Sequence, residues 1–369
     1  MPDHDVAIVG AGPIGLLLAC LLAQRGIDVA VFEARDGADH RSRAIGIHPP
    51  GIAVLDASGI GAAAREEALT LRGGEVISEG RVLASLEFTT KQRVLILPQH
   101  RTDALLRQRL CELNGNALCV GHTVSGVHPE GDRVRLRVDG ARDSTASFVI
   151  AADGVRSGIR RLLGIDWRPQ RGQGWYAMAD IPDTESDPRA QLYCEPAGLV
   201  ESFPLPGGRR RWVTGDPYRE LGDASALTNA VRQRTGIPLS FPDGIQPTAF
   251  QARQHRASRV AEGRVVLVGD AAHETSPIGG QGMNLGWAAA RSLVAAIERS
   301  LRERHPEFGD YERSALRSAA RAQRRSFFYM TMGKPVRGPI RLGRNALIRM
   351  LGTAPLRGLT ADMITMRRG

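Results

Sequence analysis

The segment DVAIVGAGPIG, residues 5–15, decides the fold of this chain. Its apolar start predicts a strand over residues 5–10, the glycine-rich part a turn, and the following run a helix over residues 14–25. A second strand is expected over residues 28–33. Gly10 permits a tight turn, Gly12 lets a ligand approach the backbone, and Gly15 lets the helix pack against the strand. This order predicts a β-α-β unit with a parallel pair of strands.

The start of the predicted helix and a carboxylate further on form a candidate dinucleotide site. Unpaired N–H groups and the helix dipole favour a pyrophosphate at the helix N-terminus. Glu33 closes the second strand, eighteen residues after Gly15, where a carboxylate can accept hydrogen bonds from an adenosine ribose. Because this carboxylate would repel a 2′-phosphate, the site favours FAD or NAD over NADP.

Length and composition limit the classes of protein to be considered. The 369 residues predict one large domain or two interleaved domains, and 42% hydrophobic with 24% charged residues is typical of a soluble globular chain. The longest apolar run, residues 14–23, covers about half of a membrane span. The cysteines show no C-x-x-C spacing and are interpreted as reduced packing residues. With a strand starting at once and no room for a signal peptide, a cytoplasmic location is expected.

The formal charge of +10 is concentrated in the tail, residues 321–369. The tail holds eleven Arg and Lys residues and one acid, whereas the rest of the chain balances 38 basic against 38 acidic residues. This distribution does not favour a nucleic-acid partner. The tail either contacts an anionic membrane or an acidic carrier protein, or is a solvated helical end packed on the body. The second interpretation is favoured, because glycines and prolines between residues 333 and 339 interrupt any long amphipathic helix.

Three further segments carry chemistry: RSRAIG (residues 41–46), ADGVRS (152–157) and GDAAHETSPIGGQGMN (269–284). Asp270 comes directly off a buried strand, where α/β folds bind ligands, and can accept hydrogen bonds from a ribityl chain. The glycine-rich run 279–282 precedes a helix whose N-terminal amides can stabilise a reduced, anionic flavin ring. The Pro277 carbonyl can face a substrate above that ring. No second credible dinucleotide turn is present.

The glycine turn with Glu33, the Asp153-Gly154 pair and the Gly269-Asp270 stretch occur in an order and at separations that resemble one family. These are the flavin-dependent aromatic hydroxylases, single-component class A monooxygenases related to p-hydroxybenzoate hydroxylase, and the resemblance spans about residues 5–330. One mild departure is Ser276-Pro277, where many relatives have two prolines.

The resemblance implies a role for individual residues. Arg43 would touch the FAD pyrophosphate, Gln99 the ribityl region and Val124, through its backbone, the adenine. Asp153 would support the FAD and the passage of NAD(P)H. The complete set of expected cofactor-binding residues is Gly10, Gly12, Pro13, Ile14, Gly15, Glu33, Ala34, Arg43, Gln99, Val124, Asp153, Gly154, Gly269, Asp270, Gly280, Gly282, Met283 and Asn284.

The expected fold class is α/β: a Rossmann-like FAD-binding domain of the p-hydroxybenzoate hydroxylase type, an inserted β-sheet substrate domain and C-terminal helices. The FAD-binding domain is expected to be discontinuous, over residues 1–70, 99–166 and 259–320. The β-rich substrate domain takes residues 71–98 and 167–258, and residues 321–369 form the basic C-terminal helical segment.

The histidines do not indicate a metal site, since none pairs with Cys, Asp or another His at ligand spacing. His48 follows the expected pyrophosphate arginine and is a candidate for substrate contact or proton relay. With Pro277 it makes up the expected catalytic set, whereas His273 is interpreted as fixing the flavin loop. Trp175 near Ile181 and Pro182 resembles a motif of flavin halogenases, but Ala177 replaces its second Trp and neither lysine fits, which disfavours that chemistry.

The sequence leads to one main hypothesis with two alternatives. In the main hypothesis NAD(P)H reduces FAD, O₂ forms a C4a-hydroperoxyflavin, and one oxygen atom enters an aromatic or polyketide-like substrate. Hydroxylation is the expected outcome, with epoxidation and Baeyer–Villiger insertion as related reactions. The first alternative is a flavin-dependent reductase of unsaturated, lipid-like substrates. The second is a non-catalytic FAD-binding sensor or partner protein.

Overall fold

A parallel sheet that carries the glycine turn forms the centre of the computed structural model, which describes residues 1–37, 44–183, 187–354 and 356–367. The strands of this sheet are β1 (His4–Val9), β2 (Val29–Glu33), β8 (Leu118–Val120), β9 (Val124–Glu130), β10 (Arg133–Val138), β11 (Ser144–Ala151), β19 (Ala261–Glu262) and β20 (Val265–Leu267). Their order is β19-β20-β11-β1-β2-β8, and β9 and β10 extend β11 as antiparallel strands. All pairs from β20 to β8 are parallel, as the sequence predicted for β1 and β2.

Helices cover this sheet and bury an apolar core. They are α1 (Pro13–Ala23), α2 (Pro49–Ser58), α3 (Gly61–Glu67), α4 (Gln99–Leu113), α5 (Gly158–Leu162) and α7 (Gly282–Glu303). Helix α1 begins at Pro13, whose fixed backbone angle suits a first helical position, and continues through an apolar run that is buried from Gly15 to Leu22. It packs against α4 and α7, so the β-α-β unit lies in the middle of the core.

A second, mostly antiparallel sheet follows a different part of the chain. Its strands are β5 (Gly73–Ser78), β6 (Arg81–Glu87), β13 (Gly174–Pro182), β14 (Arg189–Glu195), β15 (Gly198–Leu205), β16 (Arg209–Gly215) and β17 (Thr248–Ala252). Their order is β17-β13-β16-β15-β14-β5-β6, and only β14 and β5 run parallel. One face packs on α6 (Ala224–Thr235) through residues such as Val200 and Trp212. The other face, with Leu199 and Val213, turns towards the rest of the molecule.

Helix α6 is an element that the sequence analysis did not predict. It lies inside the stretch 167–258, which was expected to be β-rich, yet both of its ends carry ordinary helix signals. The carboxylate of Asp223 accepts a hydrogen bond from the N–H of Ala226 at 2.8 Å, and Gly236 ends the helix at φ 79°. These two caps could have marked the helix in the sequence.

Two small sheets connect the larger parts. The strands β3 (Gly46–Ile47), β4 (Leu69–Leu71) and β7 (Val94–Ile96) form one, in the order β3-β7-β4. The strands β12 (Trp167–Pro169), β18 (His255–Ala257) and β21 (His273–Glu274) form the other, in the order β12-β18-β21. Short 3₁₀ turns over Thr90–Gln92 and Gly269–Ala271 complete the connections.

The basic tail is helical and packs on the body. Helix α8 (Gly309–Met332) runs across residue 320, so the predicted boundary of the tail falls inside a helix. Helices α9 (Gly338–Gly352) and α10 (Leu356–Ile364) follow, and α9 packs on β6. A Cβ added at Gly352 would lie 2.6 Å from the Cβ of Ala84, which shows how closely α9 approaches the strand.

The predicted division into a three-part FAD-binding domain, a β-rich domain and a tail stays a prediction. None of the helices in the described parts of the chain combines the length and the apolar character that crossing a bilayer demands.

Candidate active site

The glycine turn between β1 and α1 is closely packed at Gly10 and Gly15 and is open at Gly12. Gly10 has φ 104°, and a Cβ there would lie 2.5 Å from the carbonyl oxygen of Ala152. A Cβ at Gly15 would lie 2.0 Å from the carbonyl oxygen of Gly10, so the helix and the turn touch without space for a side chain. At Gly12 a Cβ would meet no atom within 4 Å. The N-terminus of α1 therefore faces free space, which suits a bound anionic group.

Glu33 ends β2 beside this space and is tightly held. Its carboxylate accepts hydrogen bonds from the backbone N–H of Ala11 at 2.8 Å and from the backbone and side chain of Arg35. Burial alone would raise the pKa of Glu33, but the hydrogen bonds from Arg35 and Ala11 outweigh it and hold the pKa below its ordinary value. The group is therefore an oriented carboxylate at neutral pH.

Asp153 follows β11 and borders the same space. One carboxylate oxygen, Oδ2, accepts a hydrogen bond from the N–H of Ile159 at 3.1 Å and so caps the start of α5. The other oxygen, Oδ1, is buried and has no hydrogen-bond partner among the described residues. A buried acceptor without a partner indicates that a ligand completes its hydrogen bonding.

The third segment forms a loop that ends at the start of α7. Gly269 has φ 56°, and a Cβ there would lie 2.4 Å from the Cδ1 of Ile14, so this glycine packs against α1. Asp270 is exposed on the 3₁₀ turn and lines the open space. Gly279 and Gly280 both have positive φ, and α7 begins at Gly282 as the sequence predicted.

Asn284 holds the backbone around the start of α7, and its expected contact with a flavin ring stays a prediction. Its side chain is fully buried and holds three parts of the backbone together. Oδ1 accepts the N–H of His48 at 2.8 Å, and Nδ2 donates to the carbonyl oxygens of Gly46 at 2.8 Å and Gly280 at 3.2 Å. The side chain does not line the cavity, because its oxygen and nitrogen are bound to these backbone groups.

The two expected catalytic residues both line the cavity, Pro277 within this loop and His48 at the start of α2. His48 is buried, its Nδ1 has no hydrogen-bond partner in the described parts of the chain, and burial together with Arg325 lowers its pKa to about 4. The imidazole is therefore neutral at physiological pH. The Pro277 carbonyl accepts the N–H of Gly280 at 2.8 Å and so closes the loop, while its expected contact with a substrate stays a prediction.

One continuous cavity of about 1300 Å³ joins the glycine turn to the second sheet. This volume exceeds the roughly 300–1000 Å³ of a pocket for one small ligand. Most of the expected residues meet on its wall: Gly10, Gly12, Pro13, Ile14, Glu33, Ala34, His48, Gln99, Val124, Asp153, Gly154, Asp270, Pro277, Gly280, Gly282 and Met283. Gly15 and Gly269 instead serve the packing of α1, and Arg43 lies outside the described residues.

The far half of the cavity contains residues that the sequence analysis did not identify. Its floor is the apolar face of the second sheet, and its cover comes from α8, α9 and α10. The residues of this cover are Phe328, Tyr329, Met332, Ile348, Leu351, Gly352, Thr360, Met363 and Ile364. The tail is thus a wall of the cavity and not merely a solvated end, which corrects its interpretation.

Arginines of the tail hold this cover in position. Arg344 is buried and donates to the carbonyl oxygens of Cys194 and Glu195 at the end of β14. Arg341 pairs with Glu79 in the turn between β5 and β6. The side chain of Gln92 donates to Asp362 of α10 at 2.9 Å. Part of the positive charge of the tail therefore serves internal contacts.

Buried Glu201 of β15 is a further cavity residue that could not be identified from the sequence. It is 4% exposed, it lines the cavity, and burial raises its pKa to about 7. Nothing in its neighbours along the chain distinguishes it from an ordinary strand residue.

The residues present fit an extended dinucleotide. The open backbone at Gly12, the carboxylate of Glu33 and the unpartnered Oδ1 of Asp153 are the donors and acceptors that a pyrophosphate and sugar hydroxyls need. Within the described ranges, no group of three or more His, Cys, Asp or Glu side chains is arranged to hold a metal ion.

Comparison with known proteins agrees with this geometry. The sequence profile of the FAD binding domain family matches residues 3–326. The chain is 32% identical over 310 residues to a 12-dehydrotetracycline 5-monooxygenase/anhydrotetracycline 6-monooxygenase of Streptomyces rimosus, which covers 79% of this chain and 61% of that protein. It is 30% identical over 296 residues to a 3-(3-hydroxy-phenyl)propionate/3-hydroxycinnamic acid hydroxylase of Burkholderia vietnamiensis, covering 76% of this chain and 54% of that one. The chain thus spans little more than half the length of these relatives.

Solved structures share the architecture. An anhydrotetracycline hydroxylase of Streptomyces rimosus superposes with a TM-score of 0.82 at 28% identity, over 99% of this chain and 76% of that one. A p-nitrophenol 4-monooxygenase of Pseudomonas putida superposes with a TM-score of 0.85 over 98% of both chains, and at 23% identity this shows the fold alone. The chain therefore belongs to the FAD-binding-domain family of p-hydroxybenzoate hydroxylase-like, class A flavin proteins that its three motifs resemble.

Proposed function

We propose that this chain is an FAD-dependent monooxygenase that consumes NAD(P)H and inserts one atom of O₂ into an aromatic or polyketide-like small molecule. The observation that carries the proposal is the single cavity, which runs from a dinucleotide-type glycine turn to an apolar sheet face. In the overall reaction NAD(P)H, a proton, O₂ and the substrate give NAD(P)⁺, water and the oxygenated product. The relatives that carry similar sequences are named as monooxygenases and hydroxylases of such molecules.

The residues near the glycine turn would hold the cofactor. The N-terminus of α1 at Gly12 would bind the pyrophosphate, Glu33 the adenosine ribose, and Asp270 the ribityl chain. When bound, FAD supplies a ring that accepts two electrons from NAD(P)H and passes them to O₂. The N-terminus of α7, after the glycine-rich loop, would place backbone N–H groups and a helix dipole where that ring gains negative charge.

The far half of the cavity would bind the substrate and exclude water. Its walls are apolar and come from the second sheet and from Tyr329, Met332 and Ile348 of the tail. An apolar enclosure favours an aromatic ring over a strongly hydrated ligand and limits the access of bulk water to reactive species. Neutral His48, with a pKa of about 4, can exchange hydrogen bonds at the junction of the two halves but cannot act there as an imidazolium acid at neutral pH.

Labelled oxygen tests this proposal directly. Purified, yellow protein is mixed with NADPH, ¹⁸O₂ and either anhydrotetracycline or 3-(3-hydroxyphenyl)propionate, the compounds named for its relatives. Substrate-stimulated NADPH oxidation with one ¹⁸O atom in the product is the expected result. A reduced product without ¹⁸O would favour the lipid-type reductase, and NADPH oxidation that no compound accelerates would favour the sensor. Protein that folds but takes up no FAD would contradict all three.

The outer face of the tail supports a separate proposal, contact with an anionic membrane surface. Apolar Ile340, Leu342 and Met350 are exposed on α9 together with Arg349, and exposed Arg337 directly precedes the helix. Exposed apolar and cationic side chains on one helix are typical of interfacial binding. Flotation with phosphatidylserine vesicles but not with phosphatidylcholine vesicles is expected. Absence of flotation together with binding to an acidic carrier protein would favour that partner instead. A cytoplasmic location, where NAD(P)H is supplied, belongs to the same proposal and is checked by cell fractionation.

A further inference from the structure

Glu201 lies in the middle of an apolar wall of the cavity. Strand pairing places Leu192 of β14 and Val213 of β16 directly beside it. The next strands continue the row with Val76 of β5 and Met178 of β13, and all five residues line the cavity. The carboxyl group therefore interrupts a surface that is otherwise suited to an aromatic ring.

The carboxyl group of Glu201 has no hydrogen-bond or ion-pair partner in the part of the chain that the structure describes. Among the described residues, no hydrogen bond or ion pair engages it, although the residue is only 4% exposed. Arg211, which is two residues from Val213 on β16, is already bound by Asp180, with Nε–Oδ1 at 2.6 Å and Nη2–Oδ2 at 2.8 Å. Burying an ionisable group without a partner is unfavourable, so a purely structural role does not account for Glu201.

Burial changes the pKa of this carboxyl group and of two neighbouring side chains. Burial raises its pKa to about 7, while burial also raises the pKa of Tyr176 above its ordinary value and that of Cys194 to about 11. Tyr176 and Cys194, which face it from β13 and β14, are therefore neutral at physiological pH. Arg211, which is paired with Asp180, and the neutral phenol of Tyr329 on α8 are further polar groups on the cavity wall, together with Glu75, Gln251, Arg253 and Thr360. Among the described residues, no cation forms an ion pair with Glu201 that would hold it in its ionised form.

We propose that Glu201 determines substrate specificity: its carboxyl group accepts a hydrogen bond from a hydroxyl group on an uncharged aromatic ligand and excludes ligands that bring a carboxylate to this position. The proposal rests on the assignment of this half of the cavity to the substrate. A hydroxyl donor completes the missing hydrogen bond, whereas a second carboxylate in the same low-dielectric wall is repelled. A site built around one buried polar contact discriminates strongly against an analogue that lacks it.

Three naphthalene derivatives test the proposal by equilibrium dialysis against the FAD-loaded protein. We expect 2-naphthol to bind at least about tenfold more tightly than 2-methoxynaphthalene, because the ether cannot donate a hydrogen bond to the carboxyl group. We expect 2-naphthoate to bind most weakly. In Glu201→Leu the preference for naphthol over the ether should disappear. In Glu201→Gln, which keeps an acceptor oxygen and removes the charge, naphthoate should bind more tightly than in the wild type.

The matched control is Glu195→Gln. Glu195 is also a buried carboxyl group with a raised pKa, but it accepts the backbone N–H of Glu79 and is absent from the cavity wall. Its variant should keep the ligand preferences of the wild type. If Glu201→Leu does not fold, the naphthoate affinity of Glu201→Gln decides the question.

Several results would overturn the proposal. Wild-type protein that does not prefer naphthol to its ether, or preferences that survive in Glu201→Leu, would remove Glu201 from substrate recognition. Tighter binding of 2-naphthylmethylamine than of naphthol, lost in Glu201→Gln, would replace the hydroxyl ligand by a cationic one. Dialysis needs no turnover, so selective binding that depends on Glu201 without ¹⁸O incorporation would contradict only the monooxygenase assignment. Incorporation of ¹⁸O with unchanged preferences in the Leu variant would contradict only the role of Glu201.

Discussion

A carboxyl group whose pKa is raised in the folded state makes stability depend on pH in a predictable direction. The pKa of Glu201 rises from an ordinary 4.5 to about 7, so the folded protein holds this proton more tightly than the unfolded chain. The folded state therefore loses stability as pH rises from 4.5 to 7, by up to about 3 kcal/mol. We expect Glu201→Gln to be more stable than the wild type at pH 8 and the difference to vanish near pH 4.5.

Urea unfolding of both proteins at pH 5 and pH 8 measures this difference. Ser202→Ala is the control, because Ser202 is the next residue of β15, is fully buried and bonds to Arg210 without carrying a charge. Its effect on stability should be the same at both pH values. A Gln variant whose advantage is equally independent of pH would show that the pKa of Glu201 is the same in the folded and the unfolded protein.

Residues differ in how far the sequence could identify them. The sequence singles out Glu33 and Asp270 because Glu33 ends a buried strand and Asp270 closely follows one, at positions set by a known ligand geometry. Glu201 was missed because its isolation depends on strands β14 and β16, and the local sequence LVESF shows no alternation of polar and apolar residues. Pro277 and Asn284 are expected to contact ligands, and the sequence could not show that both also make hydrogen bonds within and around the loop.

At the level of elements, two glycines of the glycine turn have different expected roles, Gly12 in cofactor binding and Gly15 in folding. Gly12→Ala should fold with wild-type stability, since the backbone is extended and a Cβ there meets no protein atom within 4 Å. It should lose FAD affinity, because the methyl group enters the space in front of α1. Gly15→Ala should lower stability itself, by about 2 kcal/mol or more, because its Cβ would lie 2.0 Å from the carbonyl oxygen of Gly10. Thermal unfolding without FAD and flavin titration separate the two effects; equal loss of stability in both variants would contradict this division.

Helix α9 offers a second prediction, on the cover of the cavity. Arg344→Ala removes buried, charged hydrogen bonds to the carbonyl oxygens at the end of β14 and should cost about 2 kcal/mol of stability. It should also expose the linker between α8 and α9 to limited proteolysis. Arg349→Ala, on the exposed side of the same helix, is the matched control and should change neither. Similar proteolysis of the two variants would show that Arg344 does not anchor the cover.

Elements formed by local patterns were predicted well, and elements that depend on distant partners were not. Helix α1 and strands β1 and β2 lie within two residues of their expected bounds, because hydrophobic periodicity and the glycine turn are local signals. The packing of α9 on β6 joins residues that are far apart in the chain. When the strand that an Arg-rich helix packs against is unknown, the sequence predicts a solvent-exposed helix. The physical reason is that buried arginines such as Arg344 are recognisable only from the carbonyl oxygens that they satisfy.

In the whole molecule, the two large sheets both contribute walls to the same cavity. The first sheet contributes the glycine turn and the loop before α7, and the second contributes the apolar floor. The tail closes the far side, with Ile348 in the same apolar cluster as Val213 of the second sheet and Ile278 of the loop. Because three separate parts of the chain meet in this cluster, a change in any of them reaches the proposed substrate space.

Two buried histidines beside the loop make the whole fold sensitive to acid. Burial lowers the pKa of His48 and of His273 to about 4, so the unfolded chain binds protons that the folded protein excludes. Their stabilising contribution is complete above pH 6.5 and is lost as pH falls towards 4, by up to about 3 kcal/mol for each histidine.

Glu201 acts in the opposite direction between pH 4.5 and 7, so the loss of stability in acid should be steeper in Glu201→Gln than in the wild type. In that background, His48→Asn with His273→Asn should flatten the fall in unfolding free energy between pH 7.5 and 4.5. His128→Asn, at an exposed position of β9, should leave it unchanged, and a fall that persists in the double variant would place the acid-sensitive groups elsewhere.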